Sequence, residues 1–194
     1  RGLGFTGGTA DKLMSIPGFN TNLSSDKFLE AVEKVGAALI TQTADISPAD
    51  KKLYALRDST ATADNTSLIA SSIMSKKLAS GCNNILLDVK CGGGAFAGEF
   101  EDAKKLANLM VKIGGNAGKN MMAMITDMSE PLGDAVGNAI EVIEAYEVLN
   151  GKKGRLYDLC VHLAAGMLVL AHIEDDFDRA LADLATSADE QTRK

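Results

Sequence analysis

Arg57, Ser72 and Lys76 place a guanidinium, a hydroxyl and an ammonium in one short span of chain. They lie in Tyr54-Ala55-Leu56-Arg57-Asp58-Ser59-Thr60-Ala61-Thr62-Ala63-Asp64 and in Ser71-Ser72-Ile73-Met74-Ser75-Lys76-Lys77. From residue 65 the pattern predicts a helix. Asn65 or Thr66 caps its start, Leu68, Ile69 and Ile73 recur at helical spacing, and Gly81 ends it. Ser72 and Lys76, four apart, share a face. Such a face offers fixed donors to a small planar acceptor, for example a base with ring carbonyls. Spacing alone favours a plainer reading, a solvated Lys/Ser helix edge. The neighbouring residues weigh against it.

Two glycine-rich segments are candidate loops. Gly7-Gly8-Thr9, with Gly2 and Gly4 upstream, precedes a short helix. Glycines let backbone N–H groups approach an anion, and a helix N-terminus adds a favourable dipole and, here, a threonine hydroxyl. Phosphate is the expected anion, although this is neither a Walker motif nor G-x-G-x-x-G. The second loop, residues 90–96, follows an apolar strand, where open α/β sheets place ligands. A tight strand-to-helix turn with Lys90 exposed is an equal reading of it.

The elements that must carry these residues alternate. Short helices are expected at 10–15 and 26–35, and a buried strand at Ala37-Ala38-Leu39-Ile40-Thr41-Gln42. Asn84-Ile85-Leu86-Leu87-Asp88-Val89-Lys90 reads as an interior parallel strand, and Met121-Met122-Ala123-Met124-Ile125-Thr126 as another. Helices are expected at 101–113, 135–149 and 156–172. The fold class is therefore α/β, a mostly parallel sheet flanked by helices. Residues 47–79 contain no strand candidate and read as a small inserted all-helical lobe. The domain division is 1–46 and 80–194 for the α/β part, with 47–79 as a segment of the helical lobe.

Composition excludes several classes. The 194 residues are 46% hydrophobic and carry a net charge of −6, with a pI near 5.0. No Lys/Arg run exceeds a pair, so neither nucleic acid nor an anionic membrane is an expected partner. The apolar stretch 163–173 is too short to span a bilayer, and no leader peptide is read at Arg1. Cys82, Cys91 and Cys160 form no C-x-x-C pair, which fits a reduced, cytoplasmic setting. His162 and His172 both fall in an apolar helical run and read as packing residues, so no histidine-based zinc site or triad is expected.

Four motifs, in order, together resemble the thymidine and pyrimidine-nucleoside phosphorylases. They are Gly2-Leu3-Gly4-Phe5-Thr6-Gly7-Gly8-Thr9-Ala10-Asp11-Lys12-Leu13, the block from Arg57 to Lys77, and Asp88-Val89-Lys90 with Gly94-Ala95-Phe96. The fourth is Asp127-Met128-Ser129 followed by Pro131-Leu132-Gly133 and Ala135-Val136-Gly137-Asn138-Ala139. The likeness covers residues 1–150 well and is closer to the broad-specificity pyrimidine-nucleoside enzymes. It implies a helical domain and an α/β domain with the active site in the cleft between them. It makes Arg57, Ser72 and Lys76 the pyrimidine-binding residues, with Arg57 and Lys76 catalytic, and Thr9 a phosphate ligand. It further implies a structural potassium ion held by backbone oxygens of Leu132 and Ala135 and the carboxylate of Glu144. No organic cofactor is implied. Phosphate is the co-substrate, a pyrimidine nucleoside the substrate, and the full-length enzyme a cytoplasmic homodimer of nucleoside salvage.

The sequence departs from the family at Phe5, where histidine is usual, at Cys91, Gly93 and Ala97, at Asn65-Thr66-Ser67, and at Asp134. Family enzymes also carry an upstream Lys-His-Ser phosphate loop, the helices of the dimer contact and a further C-terminal α/β domain. None of these is in the 194 residues, so the chain reads as the central fragment of a longer enzyme. Two alternatives stand beside reversible phosphorolysis of uridine, thymidine and deoxyuridine. One is a related phosphoribosyltransferase, such as the anthranilate enzyme, which the pyrimidine-binding residues disfavour. The other is a non-catalytic fragment acting as an assembly module.

Overall fold

Two parallel strands lie between layers of helix. The computed structural model describes residues 8–40, 47–62 and 64–191. β1 (Asn84–Cys91) pairs with β2 (Asn120–Asp127) in unbroken register, from Asn84 opposite Asn120 to Cys91 opposite Asp127. Parallel neighbours need a long return connection, and α5 (Phe100–Asn116) provides it.

The period of two in β1 sorts its side chains. Ile85, Leu87 and Val89 are buried on one face. Ala103, Leu106, Ala107 and Met110 of α5 close over them, as do Ala70 and Met74 of α4 (Thr66–Ala79). The other face takes α7 (Arg155–Leu170), whose Gly166 sits so close that an added Cβ would strike the methyl of Met124 and come within 3.2 Å of Met122 Sδ. Along that same face Asp88 and Lys90 follow Leu86. Lys90 Nζ lies 2.8 Å from Asp88 Oδ2 and donates to Thr126 Oγ1 at 2.9 Å, while the Thr126 hydroxyl donates to Asp88 Oδ1 at 2.5 Å. The three polar groups thus satisfy one another across the strand pair. Covering helices on both faces of a parallel pair are the expected α/β arrangement.

The remaining described elements are α1 (Thr9–Leu13), α2 (Ser25–Val35), α3 (Pro48–Ser59), α6 (Asn138–Leu149) and α8 (Phe177–Gln191). Three differ from the sequence expectation. Residues 37–40 form no strand, and Thr41 and Gln42 lie outside the described residues. Gly36, at φ +82, ends α2, Leu39 beyond it is 57% exposed, and among the described residues the apolar run has no sheet neighbour to pair with. α6 begins three residues later than expected, because Gly137 at φ +139 precedes it and Ala135 belongs to a loop. α8 had no counterpart in the reading; it packs along α7 and buries Ala180. Among the described residues no helix is long and apolar enough to cross a membrane.

Met74 is 1% exposed at the meeting of α4, α5 and β1. Met74→Ala should lower unfolding free energy by about 2–5 kcal/mol in urea titrations. A loss under about 0.5 kcal/mol, the scale of a surface substitution, would show that α4 is not seated in this core.

Candidate functional site

The side of α4 that is buried determines where its polar residues go. Ala70 and Met74 face the core. Ser72 and Lys76 are each offset by two residues, about 200° of helical rotation, and so turn the opposite way, toward α3. The side chain of Asn65 caps the helix, accepting from Leu68 N at 3.1 Å, and Gly81 at φ +79 follows its end. Pro48 occupies the first helical position of α3, where its missing N–H costs nothing.

Three contacts join α3 to α4 in antiparallel order. The Ser47 hydroxyl donates to the Ser75 carbonyl at 3.1 Å, Lys76 Nζ pairs with Asp50 Oδ2 at 2.5 Å, and Arg57 Nη1 donates to the Leu68 carbonyl at 3.4 Å. Lys76 Nζ also donates to Ser72 O at 2.6 Å and Ser72 Oγ at 2.9 Å. Ser72 and Lys76 are therefore in direct contact. Arg57, in the last turn of α3, reaches the turn just before Ser72 on the same helix. Ser72 is buried and Lys76 half-buried, so this is not a freely solvated helix edge. The seam presents cationic N–H donors beside a hydroxyl, the groups that bind ring carbonyls and stabilise negative charge on them.

Asp50 was missed by sequence reasoning. In Pro48-Ala49-Asp50 it looks like an ordinary acidic residue in a helix's first turn. Only the packing of α3 on α4 brings it to Lys76, and only its 8% exposure marks it as unusual for a carboxylate.

Thr9 lies elsewhere. It is the exposed first residue of α1, a helix that packs on α6, and no described contact links it to Arg57, Ser72 or Lys76. Gly2, Gly4, Phe5 and Gly7 lie outside the described residues. Lys12 of α1 pairs with Glu141 of α6, and Glu141 also accepts from Gly137 N at 3.1 Å. Those contacts, Lys12 foremost, hold the Glu141 carboxyl below its usual range.

One turn further along α6, Glu144 does a similar task. Its two oxygens accept from the backbone N–H groups of Asp134 (2.8 Å) and Ala135 (3.1 Å). These amides, with Lys152 adding attraction, hold its carboxyl below the ordinary value. Gly133 lies against the same carboxylate, leaving no room for a Cβ. Glu144 is thus buried and structural, not the exposed carboxylate that its helical spacing allowed. Leu132 and Ala135 belong to the loop that Glu144 ties, and the contacts that tie it are backbone N–H groups of Asp134 and Ala135. A potassium ion takes oxygen donors such as carboxylates and backbone carbonyls, whereas a transition metal prefers clustered His, Cys or acidic side chains. Among the described residues no such cluster of three exists.

A cavity of about 430 Å³ opens beside this loop, lined by Pro131, Gly133, Glu144, Lys152, Gly154 and Arg155. It is separate from the Arg57–Lys76 seam. Its cations are engaged: Arg155 with Asp127 (3.1 Å) and Glu130 (3.2 Å), Lys152 with Glu147 (2.8 Å). Hydrogen bonds from Ser129, followed by Arg155, lower the carboxyl of Asp127.

The second glycine loop is a tight turn. Gly92 N donates to Ala97 O at 3.1 Å, Gly94 N to Met128 O at 2.9 Å and Ala95 N to Gly92 O at 2.9 Å. Gly92, at φ +118, packs so tightly on Ser129 that a Cβ would fall 2.7 Å from its backbone nitrogen. The amides of Gly92, Gly94 and Ala95 are turned to protein carbonyls, not to an anion.

This geometry accords with what similarity reveals. The family described as "Glycosyl transferase family, a/b domain" matches residues 1–190. The chain belongs to that family. It is 52% identical over 185 residues to the pyrimidine-nucleoside phosphorylase of Bacillus subtilis (strain 168), covering 95% of this chain and 43% of the relative. The pyrimidine-nucleoside phosphorylase of Staphylococcus haemolyticus (strain JCSC1435) is 52% identical over 181 residues, 93% of this chain and 42% of its own length. That of Geobacillus stearothermophilus is 51% identical over 181 residues, with the same two coverages, 93% and 42%. The likeness thus runs past residue 150, the limit of the resemblance read from the motifs. The chain spans less than half the length of these curated relatives.

A lowered carboxyl contributes stability above its unfolded-state value and loses it as pH falls through the folded-state value. Glu144→Gln should therefore lower the midpoint of thermal unfolding at pH 7. The gap from wild type should narrow as pH drops below the ordinary carboxylate range. A gap that stays constant from pH 7 to pH 3 would mean the charge of Glu144 does not hold the loop.

Proposed function

We propose that this chain supplies the base-binding wall, and through Thr9 part of the phosphate-binding wall, of an enzyme that reversibly phosphorolyses pyrimidine nucleosides. The observation that carries the reading is the convergence of Arg57, Ser72 and Lys76 on one face of α4. The names of the relatives, all pyrimidine-nucleoside phosphorylases, support it. Residues 47–79 would then be the part of a helical base-binding lobe that α4 anchors on the α/β core.

In the proposed reaction phosphate attacks the anomeric carbon of the sugar while the C–N bond to the base breaks. Positive charge develops on the sugar and negative charge on the departing pyrimidine. Arg57 and Lys76 stabilise the charge gathering on the ring carbonyls, and Ser72 orients the base edge. Preorganised donors of this kind are worth ~3 kcal/mol each in comparable oxyanion sites. Thr9 binds phosphate from the opposite side, and closure of the two walls excludes the water that would compete as nucleophile. The proposal extends to a structural potassium ion at Leu132, Ala135 and Glu144, to a homodimeric full-length enzyme, and to a cytoplasmic setting.

The test follows release of free base from uridine and thymidine with phosphate. It uses the chain alone and the chain mixed with the N-terminal region of one of these pyrimidine-nucleoside phosphorylase relatives. Base release dependent on phosphate is expected in the complemented mixture, and its absence in both would sink the reading. Arg57→Ala should lower kcat/KM for uridine by about 10²–10³-fold. Activity unchanged by Arg57→Ala would remove the α3–α4 seam as the base site.

A further inference from the structure

Lys76 has no donor to spare. An ammonium carries three protons. In this structure they are taken by Asp50 Oδ2 at 2.5 Å, Ser72 O at 2.6 Å and Ser72 Oγ at 2.9 Å. If Lys76 is to donate to a base carbonyl, it must release one of the three. Two of them are neutral oxygens of one residue. The third is a carboxylate only 8% exposed, whose removal from its cation would leave a buried charge unpaired.

We propose that Asp50 is a positioning residue that fixes the Lys76 ammonium while the bond between Lys76 and the Ser72 hydroxyl is exchanged for the base. Binding then redirects one Lys76 proton from Ser72 Oγ to a ring carbonyl, and the freed hydroxyl turns to the base edge. The number of hydrogen bonds on Lys76 is conserved, and the ion pair to Asp50 persists throughout. Asp50 sits in the first turn of α3, the helix that also carries Arg57, so one rigid element sets both cations. Ser47 fastens the start of that helix to Ser75, next to Lys76. The proposal rests on the assignment of the α3–α4 seam as the base site.

The experiment measures kcat and KM for uridine and for phosphate in the complemented mixture. The variants are Asp50→Asn, Asp50→Glu, Lys76→Met and the double variant Asp50→Asn/Lys76→Met, with Arg57→Ala as a reference. Outer-shell positioning groups typically cost about 10–100-fold when removed. Asp50→Asn should lower kcat/KM for uridine by about that factor while leaving KM for phosphate within about 2-fold, and Asp50→Glu should restore part of the loss. In the Lys76→Met background the same Asp50 substitution should have no further effect on uridine turnover, because Asp50 acts only through Lys76. The double variant leaves neither charge buried alone. If Asp50→Asn by itself fails to fold, Asp50→Glu, which keeps the carboxylate but shifts the Lys76 ammonium, takes its place: unchanged uridine kinetics in a folded Asp50→Glu would overturn the proposal.

Equal losses from Asp50→Asn in both backgrounds, tracking a fall in thermal stability, would show a merely structural role and overturn the proposal. So would uridine kinetics unchanged by Asp50→Asn. If Arg57→Ala lowers uridine turnover while Asp50→Asn leaves it unchanged, only the role of Asp50 falls. If the wild-type mixture releases no base, the functional reading falls and takes this inference with it.

Discussion

The burial of Ala70 and Met74 is the constraint on which the rest of the site depends. These two residues lock α4 onto α5 and β1, and the helical period does the remainder. With one face of α4 in the core, Ser72 and Lys76 must turn toward α3, and α3 must meet them with something that satisfies a half-buried ammonium. Asp50 is that group. The apolar core thus sets the orientation of a polar site it does not touch. The order of causes matters, because a salt bridge with this degree of burial contributes little net stability by itself. Hydrophobic packing holds the helix, and the ion pair fixes where its charge sits.

The other half of the molecule uses the same device on α6. Glu141 and Glu144 lie on successive turns. The first engages Lys12 and the Gly137 amide, the second the amides of Asp134 and Ala135. A single helix therefore locates both the short helix bearing Thr9 and the loop bearing Leu132 and Ala135. Backbone N–H groups of an irregular loop must find acceptors, and a buried carboxylate can take two at once. Acidic side chains on this helix act as fasteners for irregular backbone. That role accounts for the depressed carboxyl of Glu144 without invoking any ligand.

Much of this was legible in the residues. The two parallel strands, their covering helices and the capped helix with Ser72 and Lys76 on one face follow from periodicity and from Asn65 and Gly81. What misled was apolar content without a partner. Residues 37–40 have the composition of a strand but, among the described residues, no neighbour to pair with, and composition cannot report a neighbour. The loop 90–96 read equally as a ligand-placing loop and as a tight turn because glycine permits either use. The decision lay with Met128 and Ser129, which are distant in sequence and close in space. Spacing left Glu144 free to be exposed or engaged, because it does not say which side the loop 132–135 will cover.

By itself the sequence determined the residue types of the candidate site, their local spacing and the helix or strand that carries each. Those depend on interactions within a few residues, and four motifs in order were enough to place the chain among its relatives. Tertiary structure alone decided which side chains meet. The 26-residue separation of Asp50 from Lys76, and the placement of Lys12 on Glu141, arise from packing two helices side by side. Such packing is governed by the buried faces of both helices together, and neither face specifies its partner until the core forms.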